Sequence, residues 1–154
     1  SLYAAFGNKR GLLLAALSHY QQQRSEQLNA LFDAPTASEG LKNYMDNVVA
    51  ECVSGDAHKN CLLTKTLNEL AEQDDELKVL LSESLEQWQA AIAQQFAKAL
   101  DAHELRTEHT AEFLGRYLAM GIYGLRTFAS MHPDQGEQSA LADQLLAHCG
   151  VELS

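Results

Sequence analysis

Proline limits this chain more than any other residue type. Only two occur in 154 residues, Pro35 and Pro133. A proline inside a helix removes a backbone donor and clashes with the preceding turn, and both of these lie where helices would otherwise have to break. Elsewhere apolar residues recur three and four apart, the repeat that gathers side chains on one helical face. This distribution predicts an all-α fold. At 46% hydrophobic content the chain is long enough for a single domain with a real core.

Taken in order, the pattern predicts a long helix from Asn8 to about Phe32, with Leu12, Leu13, Ala16, Leu17, Tyr20, Gln27, Leu28 and Leu31 on its inner side. Its middle, Gln21 to Glu26, is polar enough to be an exposed strut. A linker spans residues 33–40, and Leu41, Tyr44, Met45, Val48, Val49 and Cys52 then mark an amphipathic helix that stops at Ser54-Gly55-Asp56. Asn60 caps the next helix, which opens at Cys61 and runs through Ala71. An acidic turn, Gln73-Asp74-Asp75-Glu76, starts a helix reaching about Ala102, and its acids suit the positive end of that helix. Two more follow, His109 to Met131 and Gln135 to His148. Gly115, Gly121 and Gly124 lie inside the first of these, where glycine costs about 1 kcal/mol relative to alanine. Something must approach closely there.

The formal net charge is −10, yet the acids lie almost wholly after Arg24. A basic tip on an acidic body fits contact with an anion confined to one end, although acidity that merely keeps the protein soluble gives the same pattern. No signal peptide and no apolar run of membrane-spanning length occur, so a cytoplasmic protein with no membrane partner is expected. Cys52, Cys61 and Cys149 have neither a metal spacing nor an even pairing. None of the six histidines has a glutamate three residues before it, as a helical di-iron site would need. Phosphate loops and nucleophile elbows are absent too. We expect no catalytic residue, no metal and no cofactor.

The opening stretch, Ser1 to Leu14, is the chain's clearest basic patch. Leu2 and Phe6 are four apart on one helical face, Gly7 reads as a stop and Asn8 as the N-cap of the next helix. Lys9 and Arg10 then place two cations in a first turn, against the helix dipole. An anionic partner such as a phosphate backbone would offset that.

This stretch, SLYAAFGNKRGLLLAAL, resembles the end of the DNA-binding headpiece of the TetR family of transcriptional regulators. The resemblance implies that residues 1–7 end the recognition helix of a helix-turn-helix and that 8–154 form an effector-binding and dimerisation domain. It further implies that Ser1 and Tyr3 face DNA, that Leu2 and Phe6 pack the headpiece and that Lys9 contacts a phosphate. It places two further headpiece helices ahead of Ser1. Arg10 departs from the pattern, which has an acidic residue there to complete a capping box.

Gly121 to Ala129 resembles the penultimate helix of TetR-type bodies, which implies an antiparallel bundle that dimerises through its last two long helices. The interface positions implied are Leu118, Gly121, Ile122, Leu125, Ala129, Leu141 and Leu145; packing within one chain is the alternative. An effector cavity, as in TetR-type bodies, would take Tyr44, Met45, Val48, Trp88, Ile92, Phe96, Phe113, Tyr117 and Met120, unless these are core. Cys61, at a predicted helix start with His58 and Lys59 before it and Lys65 a turn later, sits where thiolate is favoured. Asn60-Cys61-Leu62 also resembles a TetR subgroup with Gly-Cys-Leu here, some members of which sense electrophiles or oxidants. A small buried hydrophobe is the other reading of Cys61.

The function expected is therefore a homodimeric repressor that binds a double-stranded DNA operator and is released by a small apolar molecule or by thiol modification. The alternative is a helical homodimeric interaction module that binds no DNA.

Overall fold

The computed structural model describes residues 10–54, 56–131 and 134–153, with side chains throughout except at 56–63. Six helices account for nearly all of it. They are α1 (Arg10–Phe32), α2 (Ala37–Val53), α3 (Asp56–Ala71), α4 (Asp75–Asp101), α5 (Ala111–Met131) and α6 (Gln135–His148). The chain is all-α, as its proline distribution predicts.

Two helices start earlier than their glycines and polar residues suggest. In α2 the Thr36 side chain accepts a hydrogen bond from the Glu39 backbone N–H at 3.1 Å, so the helix begins at Ala37 and not at Leu41. A Thr-x-x-Glu spacing is the sequence signature of such a cap. Gly40 lies inside the helix, where an added Cβ would sit 2.6 Å from the Phe32 carbonyl oxygen and from Gln95 Nε2. It is a contact glycine and not a linker. Helix α3 begins at Asp56, five residues before Cys61.

The main core is built from α2, the second half of α4, α5 and α6. All six apolar positions expected in α2 are buried in it, with Ile92, Phe96, Leu114, Leu118, Ile122, Leu125 and Leu146 from the other three helices. Gln95, buried in α4, donates to the Ala37 carbonyl oxygen at 3.0 Å and so fixes where α2 begins. Lys42 Nζ bonds Asp143 across to α6 at 2.6 Å. A second, smaller cluster of Leu17, Leu67, Ala71 and Leu77 joins α1, α3 and the start of α4.

Helix α1 differs from its expected form. Only Leu17 and Leu28 are buried, Leu12 is 71% exposed, and Ala16, Tyr20 and Gln27 face solvent. The inward stripe is Leu14, Leu17, Gln21, Arg24, Leu28 and Leu31, which puts two polar side chains at its centre.

The far ends of α4 and α6 are tied together. Each closes with paired backbone bonds around a left-handed residue, His103 (φ 57°) and Gly150 (φ 84°). Leu105 and Val151 then pair as an isolated antiparallel bridge. A Cβ on Gly150 would collide with the Arg106 carbonyl, so only glycine fits there.

Candidate functional site

The polar centre of α1 leads to a cluster of charged and aromatic side chains in the body. Arg24 Nη1 lies 3.0 Å from Glu51 Oε1 on α2, and Arg126 Nη2 on α5 lies 3.8 Å from Glu51 Oε2. The Arg126 guanidinium stands over the Trp88 ring of α4, 6.0 Å from its centre. Tyr123 meets that ring edge-on at 5.7 Å, and Trp88 Nε1 donates to the Tyr44 hydroxyl at 2.8 Å. Four helices contribute.

Each charge stands on its own helix's apolar stripe: Arg24 seven after Leu17, Glu51 three after Val48, Arg126 four after Ile122. A charge in a core-facing register is the signal the sequence carries; the exposed strut expected around Arg24 turns that residue inward instead, and Glu51 and Arg126 carry no expectation from the sequence. Burial works against the Arg24 charge, but Glu51 outweighs it by its charge and hydrogen bonds and holds the guanidinium above its ordinary value. Burial raises the Tyr44 hydroxyl as well, so it stays protonated.

The residues expected to line one effector cavity divide into three groups. Tyr44, Met45, Val48, Ile92 and Phe96 are close-packed core, with Trp88 against them. Phe113 and Tyr117 line a shallow open groove of about 260 Å³ with His109, Leu114 and His148, where Tyr117 bonds His148 Nδ1 at 3.1 Å. Met120 is 63% exposed on the opposite side of α5 from the core. Periodicity finds an apolar face; it does not tell a filled interior from a hollow one.

The expected interface residues need a similar correction. Leu118, Ile122, Leu125 and Ala129 are buried within this chain, out of reach of a second copy. Gly121 faces Leu145 of the same chain, with Leu145 Cδ1 2.7 Å from an added Cβ. Leu141 is exposed. The outward face of α5 instead carries Phe113, Met120, Gly124 and Met131, and nothing lies within 4 Å of a Cβ built on Gly124.

Arg10 was expected to need an external anion, and it has internal ones. Its Nε and Nη2 bond Asp74 at 3.0 and 2.9 Å, and Nη2 bonds Glu76 at 2.8 Å. Asp74 also caps α4 by accepting from the Leu77 N–H at 3.1 Å. The start of α1 is thus clamped to the start of α4.

Ser1, Tyr3 and Lys9, expected at DNA, lie outside the described residues, as do Leu2 and Phe6 and the side chain of Cys61. The helix around Cys61 begins at Asp56, which places the cysteine in its second turn. The dipole acts within the first turn, so the argument for an activated thiolate at a helix start fails. Cys52 and Cys149 are buried, and burial pushes the Cys149 thiol up to about 12.

The described residues thus form an all-α body with a long first helix tied to it by the Arg10 and Arg24 ion pairs. Residues 37–144 match the family described as the tetracyclin repressor-like C-terminal domain, and the chain belongs to that family. It is 26% identical over 156 residues to the "Uncharacterized HTH-type transcriptional regulator YezE" of Bacillus subtilis (strain 168), covering 100% of this chain and 77% of that protein. It also superposes on a solved structure named "Putative TetR transcriptional regulator from Rhodococcus sp. RHA1", with a TM-score of 0.64, 25% identity, and coverage of 98% of this chain and 81% of that one. The chain is a TetR-type transcriptional regulator and not an enzyme. Among the described residues no helix is long and apolar enough to cross a membrane.

Proposed function

We propose that this chain is the body of a homodimeric repressor, with residues 1–7 ending its headpiece and 8–154 forming the effector and dimerisation domain. The observation that carries the effector-responsive part is how α1 is held. Its two buried leucines are supplemented by ion pairs at Arg10 and Arg24, so a change in the body can shift it without dismantling the core. Such a shift would alter the spacing of two headpieces on successive major grooves. To empty the operator the effector must favour the non-binding state by several kcal/mol.

Dimerisation is assigned to the outward strip of α5, Phe113, Met120, Gly124 and Met131, together with Leu141 of α6. The unfilled space over Gly124 supports this assignment, since glycine inside a helix needs a reason. The regulators named among its relatives favour this reading over an interaction module without DNA. Among routes of release, a small ligand has the better support. Thiol modification at Cys61 now rests on resemblance alone, and Cys61→Ser with and without a mild oxidant tests it.

The experiment is sedimentation of Met120→Arg beside operator binding by the full-length protein. Burying that charge between copies should split the dimer and weaken DNA binding by about tenfold or more. A variant that remains dimeric removes this face from the proposal.

A further inference from the structure

We propose that the seam where α1, α2, α4 and α5 meet is a carboxylate-binding site, and that a small aromatic acid acts there by taking the place of Glu51 between Arg24 and Arg126. This deepens the ligand-released reading and rests on it for the consequence at DNA, not for binding.

Charge is the first argument. Two guanidiniums share one carboxylate, leaving the cluster one positive charge in excess within a chain of net charge −10. Burial holds the Tyr44 hydroxyl beside them protonated. Geometry is the second. Glu51 accepts from Arg24 through both oxygens, Oε1 at 3.0 Å and Oε2 at 3.5 Å, whereas Oε2 is 3.8 Å from Arg126, beyond hydrogen-bonding range. Among the described residues the Arg126 guanidinium has Glu51 as an ion-pair partner at 3.8 Å and makes no side-chain hydrogen bond. A guanidinium presents a planar fork that matches a carboxylate two bonds at a time, and the Arg126 fork is not so matched.

The ligand's other end would meet aromatic rings. The Arg126 guanidinium stands over the Trp88 ring, Tyr123 meets that ring edge-on, and the indole is held in place by its bond to Tyr44. A flat ring carrying a carboxylate presents an apolar face to those rings and an anion to the guanidinium. Entry requires no unfolding, because the side chains of Arg24, Glu51 and Arg126 are 35%, 23% and 31% exposed.

A consequence follows for α1. The incoming carboxylate competes with Glu51 for Arg24, and the Arg24–Glu51 pair is the link between the middle of α1 and α2. Once Glu51 is displaced, α1 loses the tie at its middle and keeps Leu17, Leu28, the core-packed Leu31 and Phe32, and the Arg10 clamp, so it is at its middle that it can shift.

The test is calorimetric titration of the full-length protein, with Trp88 emission followed in parallel, using benzoate and phenylacetate against the neutral benzamide and phenylacetamide at constant ionic strength. The acids should bind saturably and the amides roughly tenfold more weakly or worse. Glu51→Gln, which removes the internal competitor, should tighten the acids several-fold, and Arg126→Gln should weaken them about tenfold while leaving the amides unchanged. Should Arg126→Gln fail to fold, Arg126→Lys, which keeps the charge and loses the fork, should be intermediate. Equal binding of acids and amides overturns the proposal, as does tighter binding failing to appear in Glu51→Gln. Release of operator by an apolar ligand or an oxidant, with no acid binding, sinks this site and leaves the regulator reading standing. Acid binding that leaves operator affinity unchanged overturns the α1 step.

Discussion

The two apolar clusters differ in what holds them. In the body, nineteen buried residues from Leu28 to Val151 interlock across α1, α2, α4, α5 and α6. At the headpiece end, the described residues include four, Leu17, Leu67, Ala71 and Leu77, and above them lies the Arg10–Asp74 clamp. Burial scales with apolar area and is non-directional, whereas an ion pair depends on geometry and responds to solvent and charge. A region that combines a small apolar cluster with ion pairs opens at lower free energy than one held by an extended apolar core. That suits the movement of α1 proposed above.

The contrast can be broken in four ways. The largest effect expected is Phe96→Ala, which empties a fully buried site in the body and should cost about 3–5 kcal/mol in denaturant unfolding. Leu12→Ala on α1 should stay within about 0.5 kcal/mol because that side chain is exposed. A comparable loss in both would mean that α1 is packed as firmly as the core.

Glycines sharpen the same distinction. Gly40→Ala drives a methyl into the Phe32 carbonyl and Gln95 and should cost about 1–3 kcal/mol. In Gly124→Ala the protomer has room and should gain up to about 1 kcal/mol of helix stability, while the dimer weakens in sedimentation. A stable, tighter dimer would place the interface elsewhere.

Smaller effects are expected at the clamp. Asp74→Ala loses both the α4 cap and the partner of Arg10 and should cost about 1–2 kcal/mol. Arg10→Ala removes the ion pairs to Asp74 and Glu76 but leaves the cap in place, and should cost less than about 1 kcal/mol. Thermal melts that rank them the other way would show that the ion pair, not the cap, holds the end of α4. Native-state hydrogen exchange should complete the series, with α1 amides opening before those of α2 and α5.

Much of the fold was legible because helical stripes are local. The six apolar positions of α2, the acidic start of α4 and the bounds of α6 all follow from residues within a few turns of one another. The starts of α2 and α3 were not read correctly. Gly40 reads locally as a loop, and only the approach of Phe32 and Gln95 explains why a helix needs glycine there. The TetR resemblance, carried by the first seventeen residues, was right about the family, although those at DNA fall outside the described structure. The assigned interface failed at Leu118, Ile122, Leu125 and Ala129 for a plain reason: a stripe shows which residues leave water together, not whether the covering surface belongs to the same chain.

By itself the sequence determined the helices, the family and, in every helix but α1, the direction in which the apolar stripe must turn, because backbone geometry and local spacing set those. Only the tertiary structure decided that Arg24, Glu51 and Arg126, on three different helices, share one site, and that Asp74 answers Arg10. Electrostatic pairing acts through space, and no spacing along the chain records which distant charges the packed helices bring within reach.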